Sequence, residues 1–402
     1  MKTEAILIVF EHYLPGHKAG GPVRSIANLV ECLGHEFDFR ILTSDRDLGD
    51  AEPYVNVETC RTQAVGHASV TYLRPRQKSL PALLSRLLRQ DYGILYVNSF
   101  FSRLGMKMVF MRWARLIPRH PLVVAPRGEF SSGALALKPL RKRAYLWIAK
   151  RIGLYRDATW QASSGYERAD LLRVWGPGAA NRVVVAPDVV DRAAGGESEQ
   201  GGESQPDSEA GVRPTKVPGQ AAVVFLSRIS PMKNLETALQ VLSAAHGSLL
   251  FDIYGPIEDQ SYWSLCEDLI RGMSSHVKVA YRGGIPHHQV LTVLRKYHLL
   301  LLPTRGENFG HVILEALSAG CPVLISDRTP WRGLRSQRAG WDVPLERLDD
   351  MVTAVDEMVR MGQDEFFEWS AGASALAKSA RADTSAIQAN RRLFAALLGQ
   401  SV

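Results

Sequence analysis

The feature that most constrains this chain is a run of short apolar segments set apart by stretches long enough to hold a helix. They fall at 5–10, 37–43, 70–73, 93–98, 122–125, 159–162 and 183–186, and the rhythm resumes at 221–227, 249–254, 277–281, 299–303 and 323–326. Segments that are apolar throughout, rather than at every second residue, are strands buried on both faces, and crossover-length connections bring each strand back parallel to the last. Helical patterns fill the gaps at 235–245 and 289–296, and after Gly20-Gly21, where Pro22 opens a helix with Val23, Ile26, Ala27 and Val30 on one face and Gly34 closes it. The fold class is therefore α/β, in two Rossmann-like domains. Between the two series, 191–218 is rich in Gly, Ser, Glu and Gln with almost nothing to bury, and is expected to be a disordered linker. The expected plan is a first domain at 1–190, the linker at 191–218, a second domain at 219–382 and a helical tail at 383–402 that packs back on the first domain. With 46% hydrophobic residues, 402 residues suffice for two cores. Two such domains on a linker imply a cleft between them.

The net charge of +7 is unevenly spread. The segment 103–156 holds thirteen Lys and Arg residues against Glu129 alone, and the rest of the chain is acidic. Aromatic and aliphatic residues such as Phe110, Trp113, Tyr145 and Trp147 are interleaved with these cations. Two readings are open: solvated helices covering a sheet, or amphipathic helices pressed on an anionic membrane surface. No recognised nucleic-acid motif accompanies the charge, so a nucleic-acid partner is not expected. Cys32, Cys60, Cys266 and Cys321 are scattered without metal-ligand spacing, which points to reduced thiols. No apolar run reaches the 18 or so residues of a membrane span, and the N-terminal apolar stretch is too short for a signal-peptide core, so a cytoplasmic location is expected.

One stretch carries the clearest chemistry. Glu307-Asn308-Phe309-Gly310-His311-Val312-Ile313-Leu314-Glu315 reads as a loop running into a helix, between two apolar strands. The two carboxylates would lie about 10 Å apart along the axis at 1.5 Å of rise per residue. Between them sit the N–H groups of the first helical turn, which bind phosphate through unsatisfied donors and the positive end of the helix dipole. Carboxylate, phosphate cradle and carboxylate suit a nucleotide-diphosphate sugar, with sugar hydroxyls at one end and ribose hydroxyls at the other. Arg228, just past a strand, and Lys233, at the start of the next helix, are placed to converge on the same sheet edge and neutralise a diphosphate without a metal. The only Asp-x-Asp, Asp45-Arg46-Asp47, is read as a solvated loop, so no metal site and no cofactor are expected.

Arg228 with Lys233, then Glu307-Asn308-Phe309-Gly310, Glu315 and Ala319-Gly320-Cys321-Pro322-Val323, resemble glycosyltransferase family 4, retaining and metal-independent enzymes of the GT-B fold. Pro15-Gly16-His17-Lys18-Ala19-Gly20-Gly21-Pro22, Val97-Asn98-Ser99-Phe100, Ala125-Pro126-Arg127-Gly128-Glu129, Tyr254-Gly255-Pro256 and Ser326-Asp327-Arg328 are similar to a bacterial polysaccharide-biosynthesis subgroup. The resemblance implies that Gly20 and Gly21 approach the donor phosphates and that Arg228 and Lys233 hold the diphosphate. It implies that Glu307 faces the donor sugar and Glu315 the ribose. Gly255, Pro256, Asn308, Phe309, Gly310, His311 and Val312 complete the donor site, and Asn98, Arg127 and Glu129 lie on the acceptor side. Glu307, Arg228 and Lys233 are the implied catalytic residues. The implied partners are a UDP- or GDP-sugar and a glycan or lipid-linked acceptor, at the inner face of the cell membrane. The chain departs from the family twice: Arg127 stands where many relatives have His, and Pro187-Asp188-Val189 replaces a common Pro-Asn-Gly. A nucleotide-sugar epimerase or a non-catalytic nucleotide-sugar-binding scaffold would share this fold.

Overall fold

The computed structural model describes residues 5–136, 139–190 and 214–400. These form two compact units: one runs up to Val190 and regains the chain from Thr384, and the other lies between. The expected linker lies outside the described residues except for 214–218. That remnant belongs to the second unit, since the Lys216 amine is buried and donates to the carbonyls of Val217, Val359 and Met361 at 3.0–3.1 Å.

In the first unit the strands are β1 (Ile6–Val9), β2 (Phe39–Ser44), β3 (Thr62–Val65), β4 (Ala68–Leu73), β5 (Ile94–Asn98), β6 (Leu122–Ala125), β7 (Thr159–Ala162) and β8 (Val183–Val185). Its sheet runs β3-β4-β2-β1-β5-β6-β7-β8, parallel except for the β3–β4 pair. Helices α1 (Gly21–Leu33), α2 (Leu80–Leu87), α3 (Arg103–Trp113), α4 (Ser132–Ala136), α5 (Pro139–Arg151) and α6 (Gly165–Trp175) connect them. Successive residues of each central strand feed opposite cores. Ile6, Ile8, Ile94 and Tyr96 join the core that includes α1, while Leu7, Val9, Leu95 and Val97 join the one that includes α3. That two-sided burial is why these segments read as unbroken apolar runs.

The second unit holds β9 (Gln220–Leu226), β10 (Ser248–Tyr254), β11 (Val277–Gly283), β12 (Leu299–Leu302), β13 (Val323–Ser326) and β14 (Gly340–Val343) in a parallel sheet of order β11-β10-β9-β12-β13-β14. Its helices are α7 (Leu235–Ala244), α8 (Gln260–Arg271), α9 (Val290–Leu294), α10 (His311–Ser318), α11 (Leu348–Arg360) and α12 (Gln363–Ala382). The last helix, α13 (Ser385–Leu397), belongs to the first unit. The Phe394 ring lies 5.8, 6.0 and 5.5 Å from those of Phe37, Phe39 and Tyr96.

Both sheets reverse strand order once, between β1 and β5 and between β9 and β12. At such a reversal the connections leave in opposite directions and open a crevice beyond the carboxyl ends of the strands, where doubly wound folds bind ligands.

Candidate active site

In the second unit the residues singled out in the sequence gather at the β9/β12 reversal. The loop after β9 is laced to the loop after β12. Asn234, in the left-handed region at φ 60°, donates through Nδ2 to the Pro303 carbonyl at 2.9 Å, and the Arg305 N–H reaches the Met232 carbonyl at 2.9 Å. Lys233 and Glu307 are thereby brought into a direct ion pair, each about seven-eighths buried. A third loop joins them, because the Glu307 N–H donates to the Arg328 carbonyl at 2.9 Å. Arg228 sits on the same β9 loop but pairs with Glu258, at 2.9 Å, a partner that sequence reasoning did not foresee.

Two glycines make this geometry possible. Gly255 has φ +139°, and a Cβ there would stand 1.8 Å from the Ser227 carbonyl oxygen, so only glycine lets the loop after β10 lie against the start of the Arg228 loop. Gly310 precedes α10 at φ +77°, where a Cβ would meet Ile313 at 2.7 Å. The Trp331 indole donates to the Phe309 carbonyl at 2.7 Å and packs edge-on against the Phe309 ring, fixing the entry to α10. Glu315, one turn into α10, is 8% exposed, with His287 Nδ1 3.8 Å from its carboxylate. A helix N-terminus, a lysine and two carboxylates on one crevice can hold a diphosphate and the hydroxyls on either side of it.

In the first unit, Gly20 and Gly21 open α1 from the loop after β1. Asp45 and Asp47, expected in a solvated loop, are 1% and 4% exposed. Asp47 accepts from the N–H groups of His17, Lys18 and Leu48 at 2.7, 3.0 and 2.7 Å. Burial alone would raise its pKa, but these donors hold the carboxyl below its ordinary value. Asp47 is thus an anchor of the glycine-rich loop, invisible in sequence because two of its three donors, on His17 and Lys18, lie 30 and 29 residues away.

Asn98 is fully buried, with its carbonyl oxygen engaged and its amide N–H groups without a partner among the described residues, and the Arg127 and Glu129 side chains are bonded within the unit. Arg127 donates to Asn98 at 2.6 and 2.9 Å, to the Tyr96 hydroxyl at 3.0 Å, and to Asp188 in an ion pair only 6% exposed on each side. Burial opposes its charge, and Asp188 more than compensates. The two departures from the family pattern, Arg127 and Asp188, are therefore one feature: each supplies the other's counter-charge. Glu129, its pKa raised by burial, accepts from the Ser99 hydroxyl at 2.7 Å and the Phe101 N–H at 3.0 Å. Among the described residues no cluster of His, Cys, Asp and Glu is arranged to hold a metal ion.

Two doubly wound α/β units, each with one reversal of strand order, are the architecture of the GT-B fold. The model of the glycosyl transferase 4-like domain matches residues 20–188, and that of glycosyl transferases group 1 matches 210–363. The chain belongs to the family 4-like glycosyltransferases of the GT-B fold. It is 31% identical over 113 residues to the 2-deoxystreptamine N-acetyl-D-glucosaminyltransferase of Niallia circulans; that match covers 27% of this chain and 28% of the relative's length. Its fold matches sucrose-phosphate synthase from Thermosynechococcus elongatus with a TM-score of 0.67 at 18% identity, over 98% of this chain and 100% of that one. It also matches the Anabaena protein HepE in complex with UDP and glucose, with a TM-score of 0.64 at 15% identity, over 98% and 100%.

Proposed function

We propose that the protein transfers a sugar, with retention of anomeric configuration, from a nucleotide-diphosphate sugar to a glycan hydroxyl. The observation that carries this reading is the Lys233–Glu307 ion pair at the β9/β12 reversal, beside the N-terminus of α10. Lysine and carboxylate neutralise each other in the unliganded crevice. A donor divides them: its diphosphate takes the Lys233 ammonium and the α10 amides, and its sugar hydroxyls take Glu307. Glu315 receives the ribose hydroxyls, with Gly255, Pro256, Asn308, Phe309, His311 and Val312 shaping the rest of the site. Arg228 exchanges Glu258 for the diphosphate. The Gly20-Gly21 loop is assigned to the donor phosphates by resemblance.

As the bond from the anomeric carbon to the phosphate oxygen breaks, the acceptor oxygen bonds to that carbon from the same face and its proton passes to the departing phosphate. The negative charge that develops lies against Lys233, Arg228 and the helix amides, groups fixed before the reaction starts. Arg127 and Glu129 support the acceptor-side loops from beneath. The acceptor is read as a lipid-linked glycan of bacterial exopolysaccharide, capsule or O-antigen synthesis, which places the enzyme peripherally at the inner face of the membrane. Among the described residues no helix is long and apolar enough to cross a membrane.

A panel of nucleotide sugars, read by thermal shift, tests the donor assignment, with UDP-sugars first because HepE was crystallised with UDP. The donor that shifts the melt is then supplied with acceptor glycans, and the anomeric configuration of the product is read by NMR. Retention, with turnover undiminished in excess chelator, is expected. Inversion, isomerisation of the donor without acceptor, or turnover restored only by a divalent ion would overturn the reading.

A further inference from the structure

The face of the first sheet that carries α2 turns polar at one corner. Arg40 and Leu42 on β2 stand beside Ser69 and Thr71 on β4, Leu7 on β1 is the other neighbour of Arg40, and Thr62 on β3 lies opposite Thr71. That register puts them all on one side of the sheet. Leu83 and Leu87 of α2 join the core there with Leu7 and Leu42, but α2 is only 8 residues long. Where it stops, a cavity of about 340 Å³ opens against the polar corner, edged by Arg89 and Gln90. The Arg40 fork is filled, by one Asp38 oxygen at 2.7 and 3.0 Å and by the Asp91 carbonyl at 2.7 Å. The Thr62 and Thr71 hydroxyls meet at 3.0 Å. Three groups are left over among the described residues: the second Asp38 oxygen takes no hydrogen bond, the exposed Arg89 guanidinium has no partner, and the buried Gln90 Oε1 has no donor on it. A buried acceptor without a donor is a standing cost to the fold, relieved when a ligand supplies the donor.

We infer that this cavity is a second carbohydrate site, which holds a neutral sugar ring away from the reacting crevice. The lining decides the class. Its donors and acceptors are mixed and mostly short, as a ring of hydroxyls requires, and Leu7 and Leu42 offer an apolar floor to the C–H face of the ring. A phosphate or carboxylate calls for convergent free cations, whereas here one of the two guanidiniums is neutralised and the carboxylate that neutralises it stands at the cavity. Polar walls are costly to leave unbonded against an apolar ligand. Arg40 and Ser69 are each the second residue of their strands, so the cavity lies toward the opposite end of the sheet from the crevice beyond the carboxyl ends. A sugar bound here is not the one that reacts. That it belongs to the acceptor glycan rests on the function proposed above; that the cavity binds a sugar does not.

The test uses the full chain and saturation-transfer NMR with D-glucose, D-galactose, D-mannose and N-acetyl-D-glucosamine, each with and without saturating UDP. Saturation of at least one of these sugars, undiminished by UDP, is expected. Arg89→Ala and Gln90→Met should each weaken that binding about tenfold, the effect of losing one hydrogen bond to the ligand. Arg89→Ala should leave the melting temperature unchanged, since the side chain has no partner to lose. Gln90→Met should leave it unchanged or raise it, because it removes an acceptor that has no donor; a lower melting temperature with sugar binding spared would overturn the assignment by showing that Gln90 serves only the fold. The thermal shift given by UDP should be the same in both variants, and its absence in the parent protein would count against the donor reading while leaving the cavity's role intact. No saturation of any of the sugars, saturation that survives both substitutions, or displacement of the sugar by UDP or by inorganic phosphate would overturn the inference.

Discussion

Arg127 and Asp188 depend on each other, and removing either strands a charge in a site with almost no access to water. Asp188→Asn should cost about 3–5 kcal/mol, the expense of leaving a buried guanidinium unpaired, read as a lower urea midpoint for the first unit. Arg127→His combined with Asp188→Asn should recover much of that loss, because both charges then leave together; a double variant as unstable as the sum of the singles would refute the coupling. Neither residue's partner could be read from the sequence, which shows two unusual positions sixty residues apart and no sign that they meet. Lys233 and Glu307 pose the opposite case. Their types and spacing pointed to one crevice, but the direct pair between them appears only once three loops are seen laced together. On the proposed donor placement, Glu307→Gln frees Lys233 for the diphosphate while weakening the contact to the reacting sugar, so kcat should fall with KM unchanged or lower. With Glu315 proposed to hold the ribose, remote from the bond that breaks, Glu315→Ala should raise KM at near-constant kcat. Matching changes in both variants would remove the distinction between the two carboxylates.

Elements buried on both faces were legible because burial leaves an unbroken apolar run: β6, β7 and β13 lie where the runs at 122–125, 159–162 and 323–326 put them. The edge strands β3 and β14 were not, although β8 and β11, also at the edges, were. Thr62–Val65 alternates exposed and half-buried residues and pairs antiparallel at the rim, and Gly340–Val343 opens on a glycine at the other sheet's edge, so neither shows the run. The loop after β2 was misread for a related reason. Two aspartates around an arginine look solvated until the loop at 13–20 arrives from elsewhere in the chain and gives Asp47 its donors. This element carries its own prediction. Asp47→Ala leaves three N–H groups without an acceptor, at about 1–3 kcal/mol, and exchange of the His17 and Lys18 amides should quicken by about tenfold or more. The acid dependence has a fixed sign. A carboxyl whose pKa is depressed in the folded state contributes stability above its unfolded value and loses it as pH falls through the folded one, so loop protection should persist through the ordinary carboxylate range and fail below it. Protection already lost within that range would show that the three backbone donors do not govern the carboxyl.

The whole chain is not folded in the order it is written. It leaves the first unit at Val190, builds the second, and returns at Thr384 so that α13 can close the first unit's core. The closure is apolar at its centre and polar at its margins. The Phe394 ring is fully buried among Phe37, Phe39 and Tyr96. Around it, the Asn390 amide reaches the Pro187 carbonyl at 2.8 Å, its carbonyl oxygen accepts from Gln161 at 2.9 Å, and Arg391 holds Glu36 at 2.6 Å. Gln161 also accepts from the Tyr96 hydroxyl, which in turn meets Arg127, so the C-terminal helix is joined by hydrogen bonds to the buried Arg127–Asp188 pair. The first unit's stability should therefore depend on α13, and the second unit's should not. Phe394→Ala opens a cavity in a core that cannot collapse around it and should cost about 3–5 kcal/mol. In a two-transition melt one step should move down by several degrees while the other stays, and removal of α13 altogether should abolish the moving step. Hydrogen exchange followed across the melt assigns each step to its unit. Equal movement of both transitions would show that α13 stabilises the chain as a whole rather than the unit on which it packs.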